Sequence, residues 1–303
     1  MVTAQASGKL FLLGEHAVVY VHPALIAAIN KQLFVTSTIN NKNTDEIITP
    51  GVSDIRFIRE ALSIFKKKFT ITQSVQITTR SDFTDKVGFG SSAAVTVATI
   101  ASLNTLFDTK LSNNDIFNLS YDVVRSVQSV ASGADIAASV YGGIVYYKKT
   151  EPPIINKINT SEFAFIVGYS GIKADTVTMI KKVSNLYEEK KEFVEEIFAD
   201  ISDLVENGVL YLKQKDYEQF GICMNENHVL LQKLGVSTEK LDAMVLAAQN
   251  NGAWGAKLSG AGGGDCMIAI GPTAKKQKIE QAIRDVGEEI IKVSISSNGF
   301  KTI

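Results

Sequence analysis

The sequence predicts an α/β (α+β) fold in two lobes, each a mixed sheet with helices packed against it. Three observations carry this reading. Apolar or β-branched runs alternate with helix-period segments along all 303 residues. A polar stretch over 148–160, with Glu151-Pro152-Pro153 inside it, breaks that alternation, because adjacent prolines interrupt both helices and central strands. It sets the expected lobes at 1–155 and 156–303. Each half also carries one glycine-rich loop, at 88–94 and at 259–265.

The elements follow in order. Residues 10–13 are a short apolar run and 34–39 alternate with β-branched residues, so both read as strands. Over 53–67, Ile55, Ile58, Leu62 and Phe65 recur every three or four residues, the period of a helix with one buried face. A half-buried strand fits 75–79, and an apolar helix fits 93–106. A second helix fits 115–130, with Ser112 or Asn113 as its cap, and 143–147 is a strand. The second lobe opens on a buried strand over 163–169. Helices are expected over 175–188, 191–213, 217–234, 238–250 and 275–286, and strands over 254–258, 266–270 and 290–294.

Bulk composition narrows the function. Hydrophobic content of 45% and charged content of 21% suit a globular chain with a real core. A net charge of −1 gives no global attraction for nucleic acid or an anionic membrane, so neither is an expected partner and any anion site must be local. The two cysteines, Cys223 and Cys266, form no CxxC or Cys/His cluster. That argues against structural zinc and a disulfide scaffold and fits a cytoplasmic protein. The first residues lack a basic region followed by an apolar run, and no stretch approaches the ~18 apolar residues of a membrane span.

The chemistry gathers in four segments. Gly88-Phe89-Gly90-Ser91-Ser92-Ala93-Ala94 lets backbone approach a ligand, supplies two hydroxyls and opens an apolar helix. A helix that starts this way points unpaired N–H groups and partial positive charge at its guest, for which phosphate is suited. The same stretch spells GxGxxA, with Asp108 further on, as a dinucleotide fingerprint would. A charged loop over 81–86 separates it from its strand, however, and a tight glycine turn is the plain alternative. Gly260 to Gly264 hold four glycines in five residues, either a hairpin turn or a second close approach to a ligand. In Ser132-Gly133-Ala134-Asp135, the acid either caps the next helix or acts on a hydroxyl near a transferring phosphoryl group. Lys9, leading an apolar strand toward Gly14-Glu15-His16, taken alone reads as a solvated edge lysine. His22 and His228 lack partners at ligand spacing and read as structural.

Taken together these segments resemble the GHMP kinase superfamily over nearly the whole chain, and within it the mevalonate kinase group. The carriers are Ser7-Gly8-Lys9-Leu10-Phe11-Leu12-Leu13-Gly14-Glu15-His16-Ala17-Val18-Val19-Tyr20, the loop at 88–94, Ser132-Gly133-Ala134-Asp135 with Tyr141-Gly142-Gly143, and the run from Gly255 to Gly264. Met224-Asn225-Glu226-Asn227-His228 with Leu234-Gly235-Val236-Ser237 looks like the mevalonate kinase group in particular. The resemblance implies a two-lobed fold, an N-terminal mixed-sheet ATP-binding lobe and a C-terminal ferredoxin-like lobe. It also implies ATP- and Mg²⁺-dependent phosphorylation of a hydroxyl, with mevalonate as the acceptor. Asp135 would be the catalytic carboxylate. Lys9 beside it would stabilise negative charge on Asp135 and on the attacking oxygen. Glu15, His16, Ser132 and Gly133 would lie on the acceptor side. Gly88, Gly90, Ser91, Ser92, Ala93, Gly260, Gly262 and Gly263 would serve the nucleotide phosphates, and Ser92 would face the metal.

Some positions depart from the mevalonate kinase pattern. Thr84-Asp85-Lys86-Val87 replaces a Pro- and Gly-containing lead-in to the phosphate loop. Val124 stands eleven residues before Asp135, where the group carries a metal-binding Glu, with Asp122 nearby but not on the same helical face. Val21-His22 replaces the usual Gly after Tyr20. The lead-in, the 135–141 run and Gly264-Asp265-Cys266 are closer to phosphomevalonate kinase, whose second phosphate could be met by Lys86, Lys173, Lys181 and Lys182. A phosphomevalonate kinase, a catalytically silent sensor of the same fold and a dinucleotide oxidoreductase remain alternatives. The oligomeric state is open, a homodimer being one option.

Overall fold

Two sheets organise the chain, a computed structural model describing residues 1–50, 54–83, 87–128, 131–160, 163–287 and 289–303. The first is built on β1 (Val2–Leu13) and β2 (Ala24–Ile39). The short strands expected at 10–13 and 34–39 are only the most patterned parts of these. Antiparallel pairing runs from Val2–Ser37 to Leu13–Leu25, and this ladder satisfies backbone groups whatever the side-chain pattern. β3 (Glu46–Ile48) pairs parallel with β4 (Val75–Ser81), which is antiparallel to β2, so this sheet is mixed. β5 (Ile144–Lys148) and β6 (Ile154–Ile158) extend it from the other end of β2. β3 and β6 were not expected, because both are short and partly exposed and their pairing defines them more than their residues do.

The helices of this half are α1 (Arg56–Phe69), α2 (Ser91–Leu106), α3 (Asn113–Val127) and α4 (Ala134–Tyr141), of which α2 and α4 lie on the sheet and α1 and α3 pack on α2. α2 is apolar on all sides because it lies between β1 and β2 below and α1 and α3 beside it. α3 starts earlier than expected. The Ser112 hydroxyl accepts from the Asp115 N–H while the Asp115 carboxylate accepts from the Ser112 N–H, a reciprocal cap. Ser53, Thr84, Asp85, Lys86 and the expected end of α3 at 129–130 lie outside the described residues.

The second sheet holds β7 (Ala164–Tyr169), β8 (Gly255–Ser259), β9 (Cys266–Gly271) and β10 (Glu289–Ile291), in the order β10-β7-β9-β8. All its pairings are antiparallel, which corrects the expectation of a mixed sheet in this half. The glycine loop folds β8 and β9 into a hairpin, and the helical crossovers bring β7 and β10 alongside, the ferredoxin-like βαββαβ arrangement. The helices are α5 (Thr176–Glu189), α6 (Lys191–Gln214), α7 (Tyr217–Lys233), α8 (Glu239–Asn250) and α9 (Lys276–Val286). α7, α8 and α9 pack on this sheet, while α6 and α7 also reach β1. A last strand, β11 (Lys301–Thr302), returns to β1. No helix among the described residues is long and apolar enough to cross a membrane.

Candidate active site

Lys9 lies in the middle of β1 and is only 6% exposed, so it is not the solvated edge residue its position suggested. The loop before α2 crosses over it. The Lys9 N–H donates to Phe89 O at 2.9 Å, and Nζ donates to Gly88 O at 3.4 Å. Gly90 caps α2 at φ +76°, and a Cβ there would stand 2.8 Å from Lys9 Cε. Glycine is therefore needed twice over, for the left-handed backbone and for contact with the lysine stem. The cap offers no side chain to the first N–H groups of α2, which leaves them for a ligand.

Asp135 arrives from α4. Gly133 caps that helix at φ +91° with no side-chain bond, so Asp135 is not the cap. The Ser132 hydroxyl accepts from Ala134 N–H at 3.2 Å, and Tyr147 Oη donates to Ser132 O at 2.6 Å. Held by this turn, Asp135 Oδ2 lies 3.5 Å from Lys9 Nζ, with the carboxylate side chain 37% exposed. The buried cation thus meets a carboxylate that still faces solvent.

These groups share one cavity of ≈390 Å³ between the lobes. Lys9, Asp135, Ser132 and Gly133 line it with Gly88, Gly90, Ser91, Ser92 and Ala93. Glu15, His16 and Gly260 line it as well. Gly262 and Gly263 do not. Gly262 sits against the Val236 carbonyl, Gly263 N–H donates to Val236 O at 2.8 Å, and Gly263 also meets Met179. The two glycine loops touch, since Cys266 Sγ donates to Val87 O at 3.3 Å and a Cβ on Gly88 would stand 2.6 Å from Asp265 Oδ2. The GxGxxA stretch is not in a dinucleotide-binding βαβ unit. The strand before it, β4, pairs with β2 and β3, while the next strand, β5, follows only after α2, α3 and α4 and pairs with β2 and β6, so the two are not neighbours joined by one helix.

The seam between the lobes runs through the Gly14 turn. Glu15 forms an ion pair with Lys257 of β8, and both side chains are buried. Burial pushes the Lys257 ammonium below the usual lysine range, and Glu15 offsets this. His16 Nε2 bonds Ala261 O at 2.9 Å. A carbonyl only accepts, so Nε2 carries the proton of the neutral ring. Leu258 N–H donates to His228 Nδ1 at 3.3 Å, which leaves His228 Nε2 to donate to Asp242 at 3.0 Å.

Burial, aided by the Lys257 charge, lowers both His16 and His228 to about 4, against the Ala261 and Asp242 contacts that oppose the shift. A histidine with a depressed native pKa is neutral in the fold but takes a proton in the unfolded chain below its ordinary value. Its contribution to stability is whole above about pH 6.5 and falls by about 1.4 kcal/mol per pH unit toward pH 4. Melting temperature should therefore drop on acidification through this window, and His228→Asn, which keeps an acceptor for Leu258 N–H, should flatten the slope. An equal slope in wild type and variant would contradict the assignment.

Some residues of the cavity and of the seam behind it were missed by sequence reasoning. Lys257 had a signal, a lone charge in an otherwise apolar strand, but nothing local pointed to Glu15 as its partner. Asp265 lines the cavity at φ +55°, and its Oδ1 accepts from Ala174 N–H at 2.9 Å. Burial raises its carboxyl, and the Ala174 bond opposes this. Val124 is buried and lines the cavity, so an apolar side chain stands where the resemblance led to a metal-binding acid, while Asp122 is exposed. Of the lysines considered for a second phosphate, Lys173 lines the cavity, Lys182 donates to Gly235 O at 2.5 Å, and Lys181 is exposed. Lys86 lies outside the described residues. Among the described residues no group of three or more His, Cys, Asp or Glu side chains could hold a metal.

The chain is similar to known proteins over nearly its whole length. Residues 56–143 match the GHMP kinases N terminal domain and residues 209–289 match the GHMP kinases C terminal domain. A mevalonate kinase of Pyrococcus abyssi is 34% identical, the alignment covering 99% of this chain and 97% of the relative. The crystal structure of Methanococcus jannaschii mevalonate kinase superposes with a TM-score of 0.83 at 26% identity, covering 97% of this chain and 98% of that one. The phosphomevalonate kinase of Streptococcus pneumoniae, solved with phosphomevalonate and AMPPNP, has a TM-score of 0.85 at 20% identity over 97% and 100% of the two chains, a likeness of fold.

Proposed function

Because the chain belongs to the GHMP kinases, a family of ATP-dependent small-molecule kinases, we propose that it transfers the γ-phosphoryl group of ATP to the C5 hydroxyl of mevalonate. The observation that carries the reading is the Lys9–Asp135 pair, 3.5 Å apart at the foot of the open N-terminus of α2. Phosphoryl transfer needs charge stabilisation and alignment more than covalent chemistry. In this reading the N–H groups of the first turn of α2 and the Gly88–Gly90 backbone hold the β,γ-phosphates. Asp135 orients the acceptor hydroxyl and takes its proton as the oxygen attacks phosphorus, and ADP leaves. Lys9, already turned toward Asp135, faces the negative charge that gathers on the transferring group.

The residues also fit a hard cation. Mg²⁺ takes oxygen ligands, keeps several waters and leans on substrate phosphates with one or two carboxylates. The Ser92 hydroxyl and the Asp135 carboxylate line the same cavity and would hold it, without a contribution from Val124. Bound there, the ion would neutralise phosphate charge. Two free, buried cysteines are in keeping with a cytoplasmic setting.

Coupled measurement of ADP release with mevalonate and with 5-phosphomevalonate tests the acceptor. Turnover with mevalonate is expected. Turnover with 5-phosphomevalonate alone would replace this reading with the next phosphorylation of the same molecule.

A further inference from the structure

Three side-chain donors converge on the turn that leads to Asp135, and all three come from outside it. Tyr147 of β5 donates from Oη to Ser132 O at 2.6 Å. Tyr121 of α3 donates to Ala131 O at 3.4 Å, and Lys149, just beyond β5, donates to the same carbonyl at 3.3 Å. The Tyr147 bond is the shortest, and Tyr147 is only 1% exposed, whereas Tyr121 and Lys149 are half-buried. A buried phenol needs a partner for its hydroxyl, and this one gives it to the turn. Burial, with Tyr121 close by, pushes the Tyr147 phenol above its usual range, so Oη keeps its proton and stays a donor. The ring itself is set from α3. Phe117 packs on it with centroids 6.1 Å apart and also stacks on Tyr121 at 6.3 Å. The same hydroxyl restricts the next residue, since a Cβ on Gly133 would collide with Tyr147 Oη. Ala131, Ser132, Gly133 and Asp135 line the cavity, while Tyr147 stands behind them and does not.

We propose that Tyr147 is a positioning residue for the transfer step: by holding Ser132 O it fixes the first turn of α4, and with it the aim of the Asp135 carboxylate. The inference rests on the catalytic reading of Asp135. Lys9 is placed independently, by β1 and by its bonds to Phe89 O and Gly88 O. The 3.5 Å approach of Asp135 to Lys9 therefore depends on where the 131–133 turn sits. A reacting group misplaced by about 1 Å can cost about 100-fold in rate, so a bond three residues from the carboxylate bears on the chemistry. Tyr147 acts through Asp135 alone.

A double-mutant cycle tests this. Wild type, Tyr147→Phe, Asp135→Asn and the double variant are assayed with ATP and mevalonate, each with a melting curve. Phenylalanine keeps the ring and removes only the hydroxyl. In the wild-type background Tyr147→Phe should lower kcat by at least ~10-fold. In the Asp135→Asn background it should change kcat by less than ~2-fold, because a residue that acts through Asp135 then has nothing left to aim. A purely structural Tyr147 would lower melting temperature in both backgrounds and change kcat by one common factor, or not at all, and that result overturns the proposal. If Tyr147→Phe does not fold, Tyr121→Phe, which removes another donor to the same turn, goes through the same cycle. A loss of kcat erased by Asp135→Asn supports the proposal, and equal factors in the two backgrounds overturn it. Should Asp135→Asn alone leave kcat unchanged, the catalytic reading of Asp135 fails and the role of Tyr147 falls with it. If turnover occurs only with 5-phosphomevalonate, the same four proteins are compared on that acceptor.

Discussion

Replacing Asp135 by Asn is expected to lower kcat by at least ~100-fold, the usual scale for losing a positioned general base. The substitution keeps shape and hydrogen bonding but removes the ability to take a proton. The turn that carries Asp135 does not depend on its charge: Gly133 caps α4, Ser132 Oγ accepts from Ala134 N–H, and Tyr147 holds Ser132 O. The variant should therefore fold, and the 88–93 segment, which lines the cavity from another part of the chain, should keep its place. Steady-state kinetics with a melting curve checks both points. A kcat within a few-fold of wild type would remove Asp135 from the proton-accepting role.

Lys9→Met should cost at least ~100-fold in kcat as well, for a different reason. Methionine roughly preserves the stem that lies under Gly90 but deletes the ammonium that lies 3.5 Å from Asp135 Oδ2. The lost charge stabilises the transition state more than the bound ground state, so kcat and kcat/KM should fall together. The backbone bond from Lys9 N–H to Phe89 O survives the change, and the phosphate loop should keep its place. Unchanged kcat in a folded Lys9→Met would mean that the ammonium serves packing alone.

Much of this was legible in the sequence, because the signals were local. The loop at 88–94 announces an anion site through two glycines and two serines ahead of an apolar helix, and the structure places Gly88, Gly90, Ser91 and Ser92 in the cavity wall. Helical periodicity located α1 and α5 to α9 to within a few residues, since each buries one face. Strands were harder. β1 and β2 run well beyond their alternating parts because a neighbour, not their own residues, completes their hydrogen bonds. Glycines also misled in one respect: of the loop at 260–264, Gly260 faces the cavity while Gly262 and Gly263 are used for close approach to Val236 and Met179. The sequence pattern for these two uses of glycine is the same.

By itself the chain determined its two-lobed α/β character, the glycine turn that opens α2 and the residue types of a kinase, because propensity, capping and glycine placement act over a few neighbouring residues. Tertiary structure alone decided which charges meet. Lys9 and Asp135, and likewise Glu15 and Lys257, lie far apart in the chain, and each pair is joined only when separate elements fold onto one another. Ion pairing acts through space and burial sets its strength, and neither the distance nor the burial is written in the order of residues.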